Sequence, residues 1–163
     1  MIDYIVSWAI SFTGIILGGI LATIAPEELR SGEKYLKVFE WVVLAVAIVA
    51  IFYFLRLFWL AAVIFSGFLI FIKIIKHEYY FFPWFLLLAK VENFLFLASS
   101  LIFIYGLAYG TLEAKQLMED KKIKNKIKIN ILIFKNNLLY FIYGFLVLLS
   151  ILLWPFIWHY WPL

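Results

Sequence analysis

Residues 4–25 read YIVSWAISFTGIILGGILATIA, an unbroken run without a charged side chain. A helix that spans a bilayer needs about 20 predominantly apolar residues, and this run is long enough. No lysine or arginine precedes Tyr4, and Pro26 follows the run directly, which favours an uncleaved first span over a signal peptide. The stretch therefore predicts an integral membrane protein.

The composition of the whole chain points the same way. Of its 163 residues, 67% are hydrophobic and 21% are aromatic, whereas soluble domains are about 45–50% apolar. Other uncharged stretches cover residues 41–55, 57–72, 79–89, 93–112 and 136–163. We therefore predict an all-α, polytopic transmembrane helix bundle that forms a single integral membrane domain over residues 1–163.

The lysines and arginines predict the orientation, because short positively charged loops tend to stay on the cytoplasmic side. Segment 113–137 is rich in lysine, and the first loop, 26–37, carries Arg30, Lys34 and Lys37, whereas the N-terminus before Tyr4 has only Asp3. We predict that 113–137 is a basic cytoplasmic loop in a cell-membrane protein whose N- and C-termini both lie outside.

The number of crossings between those two inside loops has to be even. Four inner crossings, six in all, need turns near Arg56, 73–78 and 90–93. Two inner crossings need helices over 40–75 and 79–112, each about 50 Å long at 1.5 Å per residue, against a hydrocarbon core of about 30 Å. We predict about six crossings, with four crossings and two over-long or broken helices as the alternative.

Small residues recur on one face of the first span, and a similar face occurs within 93–112. Such faces let helix backbones approach closely in lipid, where association depends on packing and interhelical hydrogen bonds. The predicted helix-packing face comprises Gly14, Gly18, Ala22, Gly106 and Gly110. Contact inside one bundle, a homodimer seam and a ligand or ion path are the three interpretations.

Three ionisable residues, Arg56, Lys90 and Glu92, interrupt the apolar stretches. Charged groups inside a span are costly and usually face a partner or water. Lys90 and Glu92 lie two positions apart, so on a continuous helix they would point to different sides. This favours an exposed turn; a buried pair of Arg56 with Glu92 and a transport or proton-relay site are the alternatives.

Segment 121–129, KKIKNKIKI, alternates lysine with isoleucine. Beside anionic headgroups each such lysine contributes roughly 1 kcal/mol. A short basic run without a fold of its own is weak support for nucleic-acid binding, so no nucleic-acid partner is predicted, and partner docking is the alternative. The predicted lipid-headgroup contacts are Lys121, Lys122, Lys124, Lys126 and Lys128.

Patterns typical of enzymes are missing from the sequence. His77 and Glu78 lack the second histidine that a zinc helix places four residues after the first. The chain has no cysteine, and no Gly-rich phosphate loop or nucleophile elbow occurs. We predict no catalytic, cofactor-binding or metal-binding residue and no cofactor.

Two segments, APEELRSGEKY at 25–35 and SLIFIYGLAYGTL at 100–112, resemble segments of small multi-pass membrane proteins of uncharacterised archaeal families. The resemblance implies an archaeal origin and a polytopic fold, and it implies no activity. In the first segment, Pro26 suits the first turn of a short helix that Ser31 and Gly32 can end.

These observations predict a non-enzymatic multi-pass membrane protein that acts as a packing or assembly component of a membrane complex. Its predicted partners are the lipid bilayer and either a second copy of the chain or another membrane protein. The alternative is a small channel or transporter in which Arg56, Lys90 and Glu92 line a path.

Overall fold

In a computed structural model, the described part of the chain comprises residues 2–54, 82–87, 92–120 and 125–160, with single positions at 63, 67, 70 and 123. The elements in this part are all helices, which confirms the predicted all-α class. They are α1 (Ile2–Ile24), α2 (Pro26–Phe54), α3 (Phe82–Leu87), α4 (Glu92–Asp120) and α5 (Lys126–Tyr160).

Three of these helices are long and apolar enough to cross a membrane, over Asp3–Ile24, Phe94–Glu119 and Lys126–Ser150. The shortest of the three has 22 residues, about 33 Å at 1.5 Å per residue. That length matches a hydrocarbon core of about 30 Å. The structure thus supports the predicted transmembrane character.

α4 lies at the centre of the bundle and contacts each of the other four helices. It runs parallel to α1. Near the start of both helices the Ser11 hydroxyl donates to the Ser99 carbonyl (3.1 Å), and further along the Thr111 hydroxyl donates to the Gly18 carbonyl (3.0 Å). Because the contacting positions advance in the same direction on both helices, α1 and α4 point the same way.

α2 begins directly after α1 and runs in the opposite direction. The Ala25 amide donates to the Leu21 carbonyl (3.1 Å) and closes the last turn of α1. Pro26 then begins α2, where its missing N–H costs nothing. Glu33 of α2 meets Lys115 near the end of α4, so α2 is antiparallel to α4.

α5 is antiparallel to α1. Gly19, near the end of α1, faces Ile133 near the start of α5, while Trp8 faces Gly144 further along α5. The Trp8 indole N–H also donates to the Phe141 carbonyl (3.2 Å). Trp8 and Gly144 are both buried. The large indole of Trp8 on α1 therefore packs into the space that the missing side chain of Gly144 leaves on α5.

α3 folds back against α4. The rings of Phe85 and Phe94 lie 5.6 Å apart, and those of Phe82 and Tyr105 lie 5.2 Å apart. In one straight helix Phe82 and Tyr105 would be separated by about 34 Å. A straight helix over 79–112 is therefore wrong; the four-crossing alternative requires a broken one.

Two helices extend further than the polar residues indicate. The expectation that Ser31 and Gly32 end a short helix is wrong, because α2 continues through them to Phe54. A single glycine in a helix costs only about 1 kcal/mol relative to alanine. A helix of 29 residues remains stable despite this cost. In the basic segment 113–137, residues 113–120 belong to α4 and 126–137 to α5.

Candidate functional site

Polar side chains collect at one end of the bundle, where α1 and α4 end and α2 and α5 begin. We name this region the polar end. Its members lie in the last turns of α4 and the first turns of α2 and α5. They are Glu33, Lys37, Glu113, Lys115, Glu119, Asn130, Asn136 and Asn137.

Glu33 joins α2 to α4 by accepting hydrogen bonds from two lysines. Lys115 donates to Oε2, and Lys37 donates to Oε1 at 2.6 Å. Lys115 is only 9% exposed, and Glu119 lies 3.7 Å from the same ammonium group. The Lys115 hydrogen bond first, and the Lys37 bond second, lower the pKa of Glu33 from 4.5 to about 2. Glu33 therefore stays ionised at neutral pH.

Glu113 joins α4 to α5 through two consecutive asparagines. Asn136 donates its Nδ2 to Oε1 (3.0 Å), and Asn137 donates its Nδ2 to Oε2 (2.6 Å). Asn137 is 1% exposed and donates a second bond to the Ile133 carbonyl (2.9 Å). Because both bonds need the amide nitrogen, the carboxylate determines which way the Asn137 amide faces.

Two amide oxygens at the polar end, Oδ1 of Asn130 and Oδ1 of Asn137, are buried without a hydrogen-bond donor. A buried unpaired acceptor costs about 1–3 kcal/mol. Asn130 lies over α1, where a Cβ on Gly19 would be 3.1 Å from its oxygen. These two oxygens are the places in the described core where a hydrogen-bond donor or a cation would be favoured.

The predicted helix-packing glycines meet between α1 and α4. A Cβ on Gly106 would lie 3.0 Å from the Ile15 amide nitrogen. Cβ atoms on Gly14, Gly18 and Gly110 would overlap backbone carbonyl oxygens of the facing helix. The two backbones are thus in direct contact, and α4 of the same chain covers this face of α1. Ala22, one turn beyond Gly18, is also buried.

The structure describes only some of the predicted charged residues. Lys126 and Lys128 are exposed in the first turn of α5, while Lys121, Lys122 and Lys124 lie outside the described residues. Arg56 and Lys90 also lie outside them. Glu92 is the first residue of α4, but its side chain is not among those described, so the arrangement of this predicted set lies outside the described residues.

Sequence reasoning missed two buried polar residues, Glu40 and Asn137. Glu40 is 7% exposed in α2, although it directly precedes the apolar stretch 41–55 and reads as a membrane boundary. Asn137 is the second residue of the uncharged stretch 136–163 and reads as part of its edge. For Asn137 the sequence does contain one signal. Asn130 and Asn137 lie seven positions apart, which places them on one face of a helix.

Where α2, α3 and α4 meet, the packing leaves a cavity of about 10 Å³. Its lining is apolar and includes Leu44, Phe85 and Tyr105. This volume is at the lower limit for a single water molecule. In the part of the chain that the structure describes, no group of three or more His, Cys, Asp or Glu residues could hold a metal ion.

No protein-family model matches the chain, and no curated protein or solved structure matches it either.

Proposed function

We propose that the chain is a non-enzymatic multi-pass membrane protein that acts as a packing or assembly component of a membrane complex. The observation that carries this proposal is the backbone contact between α1 and α4. Helices that touch through Gly14, Gly18 and Gly110, with interhelical hydrogen bonds from Ser11 and Thr111, resist sliding past each other. A fixed contact of this kind suits a scaffold, which holds its partner in a constant position.

The outward face of α2 supports the same proposal. It presents a row of exposed valines at helical spacing, Val38, Val42, Val46 and Val49. β-Branched side chains already have one preferred rotamer in a helix, so covering them with a partner helix costs little side-chain entropy. This valine face is the surface on which we expect a partner helix to pack.

We further propose six crossings, with both termini outside and 113–137 on the cytoplasmic side. Because α1 and α4 run in the same direction, an odd number of crossings lies between them, which supports the even number predicted between segments 26–37 and 113–137. A single cysteine at Val91→Cys tests the proposal in this cysteine-free chain. Six crossings require labelling by an impermeant thiol reagent from the outside only, and protection from both sides would contradict them.

The assembly role is tested by cross-linking in native membranes. Val42→Cys places a thiol on the valine face, and Leu139→Cys places one on the exposed face of α5 as the matched control. We expect a defined cross-linked product from Val42→Cys and none from Leu139→Cys. Equal patterns from both positions would remove the support that the valine face lends to an assembly role.

The alternative is a small channel or transporter that uses Arg56, Lys90 and Glu92. It predicts ion flux in liposomes that contain the purified protein, and loss of that flux with Glu92→Gln. A protein that is monodisperse without a partner and conducts ions in this assay would overturn the assembly role.

A further inference from the structure

The outer face of α5 carries a continuous stripe of exposed residues that changes from basic to apolar along the helix. Its members recur at steps of three or four residues, so they share one face. We name it the α5 stripe, and it consists of Lys128, Ile131, Lys135, Leu139, Ile142 and Leu146.

The two lysines of the α5 stripe lack a counter-ion in the described protein. Neither Lys128 nor Lys135 forms an ion pair with another described residue. α5 has no acidic residue in its first turn, and a positive charge there is unfavourable for the helix dipole. Lys128, in this first turn, therefore does not stabilise its own helix, and the charge of neither lysine is balanced by an ion pair within the described protein.

The geometry of the α5 stripe brings both ammonium groups toward one level. Lys128 and Lys135 lie two turns apart, about 10 Å along the axis. The tilt of Cα–Cβ bonds toward the helix N-terminus is the same for both residues, so it does not shorten this distance. A lysine beside lipid extends its ammonium group toward the polar boundary, and on α5 this directs Lys135 toward Lys128, away from the apolar part of the stripe.

The apolar part has the length of an acyl chain in one leaflet. From Lys135 to Leu146 the helix rises about 16 Å, and half of the hydrocarbon core measures about 15 Å. Leu139, Ile142 and Leu146 are all exposed on this section. A ligand that fits the whole stripe has an anionic head and a hydrocarbon tail of that length.

We propose that the α5 stripe is a binding site for one anionic phospholipid. Its phosphate lies between the ammonium groups of Lys128 and Lys135, and one acyl chain lies along Leu139, Ile142 and Leu146. A nucleic acid would satisfy the lysines but leave the apolar section uncovered, so the membrane lipid is the better partner for the stripe.

The test is lipid titration of the purified full chain in detergent, read by native mass spectrometry. Phosphatidylglycerol and phosphatidylcholine with identical acyl chains are compared. With about fivefold for each lysine, two lysines predict a preference of about 25-fold for phosphatidylglycerol. Equal binding of the two lipids would overturn the proposal.

Three single substitutions locate the site. Lys128→Gln and Lys135→Gln are each expected to weaken phosphatidylglycerol binding about fivefold. Lys34→Gln is the matched control, because Lys34 is an exposed lysine of α2 that lies outside the stripe. If Lys34→Gln weakens phosphatidylglycerol binding as much as Lys135→Gln does, the lipid responds to the overall positive charge of the protein, and a specific site on the α5 stripe is refuted. All three side chains are exposed, so circular dichroism is expected to show unchanged folding.

Discussion

Replacing Gly18 by alanine tests the contact between α1 and α4 directly. An ideal Cβ on Gly18 would lie 2.9 Å from the carbonyl carbon of Leu107, whereas nonbonded carbon atoms rest about 3.5–4.0 Å apart. The clash is with backbone and not with a movable side chain, so the two helices have to separate by roughly 1 Å. The separation would also stretch the hydrogen bond from Thr111 to the Gly18 carbonyl, which is 3.0 Å long.

The chain offers a matched control in Gly32. It lies inside α2, and a Cβ there would meet nothing within 4 Å. Gly32→Ala is expected to stabilise the protein by about 0.5–1 kcal/mol, because alanine is the better helix former. Both substitutions share this gain in helix propensity, so the difference between them isolates the packing effect.

The packing effect of Gly18→Ala has two parts. Overpacking costs about 1–3 kcal/mol, and an interhelical hydrogen bond in a membrane protein contributes about 0.6 kcal/mol. We therefore expect Gly18→Ala to be less stable than Gly32→Ala by about 1.5–3.5 kcal/mol.

The assay is unfolding of purified protein in detergent micelles by increasing sodium dodecyl sulfate, followed by circular dichroism. Wild type, Gly18→Ala and Gly32→Ala are measured side by side. If Gly18→Ala is as stable as Gly32→Ala, the backbones of α1 and α4 are not in contact and the reasoning fails.

Two further predictions concern the polar end. Because Lys115 and Lys37 lower the pKa of Glu33 to about 2, its contribution to stability is present above pH 4.5 and is lost as the pH falls from 4.5 to about 2. The thermal stability of wild type and Glu33→Gln should therefore converge over that interval, and a constant difference would contradict the ion cluster. Asn137→Asp turns a buried donor to Glu113 into a second carboxylate, so it should destabilise the protein by about 3–5 kcal/mol, while the exposed Asn136→Asp should cost about 1 kcal/mol or less. Denaturation of the two variants at pH 7 checks this, and equal losses would refute the buried position of Asn137.

The polar end was only partly predictable. The positive charge of segment 113–137 is visible in the sequence, but the pairing of Glu33 with Lys115 is not, because the two residues lie in different helices far apart in the chain. Asn137 shows the same limit. Nothing local to it indicates that a carboxylate on α4 would bind its amide nitrogen and leave its amide oxygen buried.

The sequence by itself determined the all-α class and the apolar spans, because the length and hydropathy of a single run decide whether a helix can cross a bilayer. It also determined which helix faces carry small residues, because the spacing of residues along one helix can be read from the local sequence. Only the tertiary structure decided that the face of Gly14 and Gly18 meets Gly106 and Gly110 in parallel, and that α3 folds back on α4. The reason is physical: any small face can approach any other small face in lipid, so the choice among partners depends on contacts between distant parts of the chain.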